Sequence, residues 1–171
     1  MSNYKAVEVI GVRVEMPSNQ PIVLLKEIDG VRYLPIWVGA VEATAIAFAQ
    51  QGVTPPRPLT HDLMQDIVES LDATVTAIQV TAIEEGVFMA SLLIRNQDGS
   101  AVSVSARPSD AIALALRTHS NILADSDLLD NVGIEIPDDV AQDALNASGE
   151  SSEMERFREF LDQINPEDFA G

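Results

Sequence analysis

The stretch PIVLLKEIDGVRYLPIWVGAVEATAIAFAQQG, residues 21–52, decides the fold. Residues 21–28 are rich in Val, Leu and Ile and read as a strand. Asp29-Gly30 is a two-residue hairpin signal, and residues 31–38 read as the returning strand. Gly39 then opens an alanine-rich segment, 40–51, which suits a helix that Gly52 ends. Upstream, residues 4–16 alternate apolar and polar as a half-buried strand does. The order is β-β-β-α.

The order then recurs. Residues 73–84 alternate, 87–95 make a strand, Asp98-Gly99 a turn, 100–106 a strand and 108–118 a helix. Asp29-Gly30 and Asp98-Gly99 lie 69 positions apart. Glu42/Asp110, Ala45/Ala113 and Ala47/Ala115 are 68 apart, as are Val7/Val75, Ile10/Ile78 and Val12/Val80. We read an internally duplicated β-β-β-α unit and an α+β fold of sheet and helix layers. A linking helix at 60–72 places Leu63, Ile67, Val68 and Leu71 on one face, with Thr60 as its expected N-cap. Residues 122–133 read as a short strand and a short helix.

Charge divides the chain. The net charge is −17, from 27 acids and 10 bases. Residues 1–133 hold 16 acids and 8 bases, or −8; residues 134–171 hold 11 and 2, or −9. The expected organisation is therefore a domain over 1–133 and an acidic C-terminal extension over 134–171. Within the extension, 146–152 reads as a flexible linker. Residues 153–164 read as an amphipathic helix with Met154, Phe157, Phe160, Leu161 and Ile164 on one face. That helix is expected to dock on its own domain or on a protein partner. The tail as a whole is a partner-binding element or a guard against non-specific nucleic acid.

Composition excludes several classes. So acidic a chain is neither a general nucleic-acid coat protein nor a binder of anionic membrane surfaces. It has no cysteine, so disulfides, thiolate metal sites and cysteine nucleophiles are absent. The first residues lack the apolar segment of a signal peptide, and no apolar run approaches the ~18 residues of a membrane span. The expectation is a cytoplasmic protein that makes no use of membranes. Phosphate-loop, dinucleotide, zinc and serine-nucleophile signatures are missing, so no organic cofactor is expected. The fairly hydrophobic sheet and alanine-rich helices favour a homo-oligomer, with a dimer first.

Two segments concentrate unusual polar residues: Arg57-Pro58-Leu59-Thr60-His61-Asp62-Leu63, and Arg107 through Arg117. Each sets an Arg-Pro before a helix and an Asp in its first turn. Arginine beside a helix N-terminus suits a phosphate or carboxylate, because guanidinium and free N–H groups face the same anion. Asp62, Asp110 and Glu42 have the chemistry for a divalent cation, and His61 can move a proton. The same residues also suit the helices themselves. With Pro108 at the first helical position, Arg107 is the cap, and Asp110 favours the helix dipole, as Glu42 does after Gly39. Arg107 and Arg117 could equally pair with acids of the domain. Trp37 is expected in the core or an interface. His119 is expected on the surface near a helix end.

At these segments the chain resembles the bifunctional nuclease family. The resemblance rests on PIWVGAVEATAIA (35–47), RPLTHDL (57–63) and RPSDAIALALR (107–117), and spans about residues 5–133. Plant members of that family are described as degrading both DNA and RNA. The resemblance implies a nuclease acting on phosphodiester bonds, with nucleic acid as substrate. It puts the site at Arg57, His61, Asp62, Arg107, Ser109, Asp110 and Arg117, with Glu42 in addition. In the roles we assign, His61, Asp62 and Asp110 are catalytic. Arg57, Arg107, Ser109 and Arg117 hold phosphate. Asp62, Asp110 and Glu42 hold Mg²⁺ or Mn²⁺. The competing expectation is a non-catalytic oligomeric scaffold or regulator that recruits partners through its acidic tail.

Overall fold

The structure, a computed structural model, describes residues 3–15, 17–137 and 140. The first three strands are β1 (Tyr4–Glu15), β2 (Gln20–Glu27) and β3 (Arg32–Trp37), followed by α1 (Ala40–Gln51). Helix α2 (Thr60–Ser70) leads to β4 (Thr74–Glu84), β5 (Val87–Arg95), β6 (Ala101–Ala106) and α3 (Pro108–Thr118). The described chain continues through β7 (Asn121–Asp125), α4 (Ser126–Val132) and β8 (Ile134–Glu135). The eight strands form one sheet in the order β6-β5-β4-β7-β1-β2-β3-β8. All neighbours run antiparallel except β4 and β7. Two three-stranded meanders thus flank β7, each followed in sequence by a helix, in an α+β arrangement. None of the described helices is long and apolar enough to cross a membrane.

The meanders share a register. Val23 of β2 stands opposite Ile36 of β3, and Leu92 of β5 opposite Val104 of β6. They differ at three places that sequence offset alone does not distinguish. The Asp29-Gly30 link is not a two-residue turn: β2 ends at Glu27 and β3 starts at Arg32. Gly30 is not in the left-handed region there, whereas Gly99 is, at φ 84°. A Cβ on Gly30 would lie 2.2 Å from Glu27 Oε2, so a side chain at 30 would have to displace the carboxylate that Arg32 holds. Glu27 accepts two hydrogen bonds from Arg32, at 2.8 and 2.9 Å, and Arg32 also bonds Asp130 of α4. The bonds from Arg32 outweigh burial and hold the Glu27 carboxyl below its ordinary range. The second difference is where the strands bulge: β1 between Val9 and Gly11, β4 between Val75 and Ala77 and between Val80 and Ala82, so that Ile10 packs against the second cluster while Ile78 joins the main core. The third is β6 itself, an exposed edge strand where β3 is buried.

The core lies between one sheet face and the helices. Val23, Leu25, Leu34, Ile36, Ile78 and Val80 meet Ile46 of α1, Ile112 and Leu114 of α3, and Leu128 and Leu129 of α4. Helix α2 contributes Met64 and Val68. A second cluster on the β1–β3 side joins Leu24 and Tyr33 to Ile136, which follows β8. The sheet therefore runs on past residue 133 into the segment expected as an extension. The expected linker at 146–152 and helix at 153–164 lie outside the described residues.

Two local expectations need correcting. Helix α2 has Leu59 at its N-cap, not Thr60; the Leu59 N–H is satisfied by Asp62 Oδ2 at 2.9 Å. The four apolar residues expected on one face also do not share the buried side, because Leu63, Ile67 and Leu71 are exposed and of the four only Val68 packs inward, beside Met64.

Candidate functional site

Three helices converge on one network of ionic side chains. Arg107 is the N-cap of α3 and Pro108 its first residue, which sets Asp110 in the first turn. Gly39 is the N-cap of α1 and sets Glu42 in its first turn. Arg107 bridges these two acids, with Nε donating to Asp110 Oδ2 and Nη2 to Glu42 Oε1, both at 2.8 Å. The other oxygen of Asp110 meets His61 Nε2 of α2 at 2.9 Å. The two polar segments, 49 residues apart in sequence at this pair, therefore converge.

A second ion pair lies further along α3. Arg117 Nε donates to Asp62 Oδ1 at 2.6 Å, and Nη1 donates to the carbonyls of Ala113 and Ala45, at 2.8 and 3.1 Å. Its side chain is only 8% exposed, so these bonds absorb a buried charge. They tie α1, α2 and α3 together and fix the start of α2, where His61 is 6% exposed.

The carboxyls respond as their partners dictate. Burial raises the Asp110 pKa, but hydrogen bonds from Arg107 and His61 outweigh it and hold the group below its ordinary range. Asp62 behaves likewise: burial raises it, and bonds from Arg117 and the Leu59 N–H more than compensate. Arg107 is held above its ordinary range by Asp110 and Glu42.

Two clefts open at opposite ends of the network. One, of about 420 Å³, is lined by Phe48, Pro58, Asp62, Asp66, Arg117 and His119. The other, of about 650 Å³, has the size of an ordinary ligand pocket. Both α1 and α3 begin at this larger cleft, through Gly39-Ala40 and Pro108-Ser109. Neither helix start has a side-chain cap. Trp37 and Phe88 line it too, and Arg107 reaches it with a side chain 65% exposed. Ser109 is 7% exposed, and no hydrogen bond to its hydroxyl occurs among the described residues. Ser109 is among the residues that line the cleft.

The residues expected from sequence thus divide. His61, Asp62, Asp110, Glu42, Arg107 and Arg117 join one network, and Ser109 sits beside it. Arg57 does not join: it is exposed in the loop before α2 and makes no bond among the described residues. Trp37, expected in the core or an interface, is half-buried at the larger cleft, with its indole N–H donating to Glu15 at 3.4 Å. Phe88 gave no signal in the sequence, since β5 reaches the cleft only through the sheet. His119 is exposed, as expected, and is the left-handed C-cap of α3.

Each of the three carboxylates is engaged by a guanidinium, and no group of three or more His, Cys, Asp or Glu is placed to hold a metal among the described residues. Asp110 and the Arg117 that holds Asp62 are seven residues apart on α3, about 10 Å along its axis. The network has three acids, two arginines and one histidine. Positive character at the larger cleft comes mainly from Arg107 and the two uncapped helix starts.

Residues 23–137 match the bifunctional nuclease domain, so the match contains the whole network. Two uncharacterized proteins of Mycobacterium tuberculosis, one from strain CDC 1551 / Oshkosh and one from strain H37Rv, are each 47% identical over 163 residues. The alignment covers 95% of this chain and 96% of each relative, so it takes in much of the C-terminal segment beyond residue 137.

Proposed function

The chain belongs to the bifunctional nuclease domain family, and from that premise we propose that it hydrolyses phosphodiester bonds in DNA, RNA or both. The observation that carries the reading is the His61–Asp110 pair, held at 2.9 Å and joined through Arg107 to a cleft onto which two uncapped helix starts open. In this reading the scissile phosphate enters the larger cleft. Arg107, the Ser109 hydroxyl and the N–H groups at the starts of α1 and α3 take up its negative charge. Trp37 and Phe88 offer the apolar surface that a base or sugar needs.

Asp110 occupies Nε2 of His61 and leaves Nδ1 for proton exchange; His61 is 6% exposed and lines neither cleft, so the reading requires water or the leaving oxygen to reach it from the larger cleft. Water adds to phosphorus, the P–O ester bond breaks, and the departing oxygen receives a proton. Glu42 positions Arg107. Arg117, expected as a phosphate ligand, is assigned with Asp62 to positioning, since its bonds hold α2 against α3. No step is routed through Mg²⁺ or Mn²⁺, and both belong in the assay as separate arms. We place this activity in the cytoplasm, in keeping with the cysteine-free sequence.

A second reading, a non-catalytic assembly protein whose acidic tail recruits partners, is favoured by the exposed apolar side of α2. Single- and double-stranded DNA and RNA, incubated with purified protein with and without each metal, separate the two. The nuclease reading expects cleavage that falls by ~10²-fold or more in His61→Ala. Equal residual cleavage in wild type and variant would sink it.

A further inference from the structure

Opposed residues of neighbouring antiparallel strands share a face, so the pairing gives the first meander a second surface. Ile22 stands opposite Arg13 and Trp37, Leu24 opposite Pro35, and Lys26 opposite Glu8 and Tyr33. The residues between them, Val23, Leu25, Leu34 and Ile36, point into the main core with the helices. The alternate set therefore faces away from α1–α4. That side is nevertheless closed to water. Ile22, Leu24 and Tyr33 are 2%, 7% and 2% exposed, and Pro35 is fully enclosed. Burial also holds the Arg13 pKa below its ordinary range. Among the described residues, the cover from beyond the meander is Ile134, Ile136 and Val140. All three belong to the segment that starts with β8, and Val140 is the last residue described. They pack on Leu24 and Tyr33, whereas Ile22 and Arg13 lie further along the same face.

We propose that residues 153–164 dock on this face of their own chain, laying Met154, Phe157, Phe160, Leu161 and Ile164 over the first meander and completing the cover that Ile136 and Val140 begin.

The course of the chain and its charge select this occupant. Val140 already sits on the face, and the residues between it and the segment, 141–152, reach ~40 Å when extended, against ~10 Å from β3 across β2 to β1. A helix as short as 153–164 is marginal in water on its own and is stabilised by burying its apolar side. The face presents Arg13 and Lys26, with Glu8 and Glu15, to a segment of 11 acids and 2 bases, residues 134–171. The exposed apolar side of α2 is the other surface open to it. That helix carries Asp62, Asp66 and Glu69 and no base, so charge sends an acidic segment to the meander instead.

The docking face ends at the larger cleft, which Gln20 and Trp37 also line. In a consequence that rests on the phosphodiesterase reading, the docked segment sets acids beside the entrance for phosphate and lowers affinity for polyanions.

Hydrogen exchange of the full chain, read by mass spectrometry, tests the docking. The amides of 153–164 are expected to exchange ~10-fold or more slowly than in a peptide of residues 146–171, at every protein concentration. Phe157→Ser with Phe160→Ser removes that protection, and so does Arg13→Glu, each with the circular dichroism of the domain unchanged. Amides as fast as the peptide's, or protection that survives the paired Phe substitutions, would overturn the proposal. So would protection that appears only as concentration rises, since a second copy would then supply the segment. Protection lost in Leu63→Glu/Ile67→Glu but kept in Arg13→Glu would move the segment to α2 and overturn it equally. Anisotropy of a labelled single-stranded oligonucleotide, without metal, reads the shielding separately. Phe157→Ser/Phe160→Ser is expected to bind it about fivefold or more tightly than wild type. Equal affinities would overturn the shielding, and no binding by either protein would count against the phosphodiesterase reading as well, while exchange alone decides the docking.

Discussion

Positions 68 apart perform different work in the two β-β-β-α halves, and the difference is plainest in the ionic network between their helices. Glu42 and Asp110 take the same place in the first turns of α1 and α3. The residues capping those helices, Gly39 and Arg107, are also 68 apart, yet one has no side chain and the other bridges both acids. A Cβ on Gly39 would lie 2.3 Å from Glu42 Oε2, so the first half leaves room for the acid that the second half's arginine engages. One half supplies the space and the other the charge. The strands diverge as well: Ile36 is buried in β3, while Val104, its counterpart, is 41% exposed on the edge strand β6.

The largest effects are expected where the halves agree. Ile46 and Leu114, 68 apart, are both fully enclosed. Ile46→Ala and Leu114→Ala should each cost ~2–5 kcal/mol in denaturant unfolding, through lost burial and the cavity left behind. A loss under ~1 kcal/mol in one of them would mean that the two helices are not equivalent in the core. Breaking the Asp62–Arg117 pair, which has no counterpart in α1, comes next. Arg117→Met should cost ~3 kcal/mol or more by leaving Asp62 without its cation, and Arg117→Met with Asp62→Leu should recover much of that loss. An unrecovered double variant would contradict the assignment.

How much of this was legible in the sequence follows from the same contrast. Hydrophobic period and turn residues report local geometry, and α1, β5 and α3 carry the bounds that their alternation, alanine content and Pro108 imply. Position in the sheet is not a local property. Nothing in SAVSVSA says that β6 ends the sheet, or that Ile134–Glu135 adds a strand beside β3. Residue chemistry near the helix starts announced His61, Asp62, Arg107 and Asp110. The direction in which α2 faces did not follow from its apolar spacing, because His61 and Asp62 find partners on α3 and turn Leu63, Ile67 and Leu71 outward. Arg57 was drawn into the expected site by its motif, and the loop before α2 holds it apart. Trp37 and Phe88 meet at one cleft only because two meanders share a sheet.

The edge contrast gives a smaller effect. Ile36→Ala should cost ~2–5 kcal/mol and Val104→Ala under ~1 kcal/mol, despite their equal offset and matching register. Similar losses at both would deny that sheet position separates the halves.

The pH dependence is the least of these. The folded pKa values of Asp62 and Asp110 lie below the ordinary aspartate value of 3.8. Their contribution to stability is therefore present above that value and is lost as pH falls through the lower folded values. Stability measured against pH should fall less steeply there in Asp110→Asn than in wild type. Identical slopes would mean that Asp110 does not carry the ion pairs assigned to it.

The central claim is that the arginine and histidine gathered on Asp110 form a working phosphodiesterase. It is tested most directly by kcat/KM for cleavage of a labelled single-stranded oligonucleotide by wild type and Asp110→Asn, with equal folded fractions. The account predicts a fall of ~10²-fold or more in the variant, because His61 loses the carboxylate that fixes its working nitrogen and Arg107 loses one of the two acids that position it. Equal rates in the two proteins, or no cleavage by either with or without added metal, would contradict it.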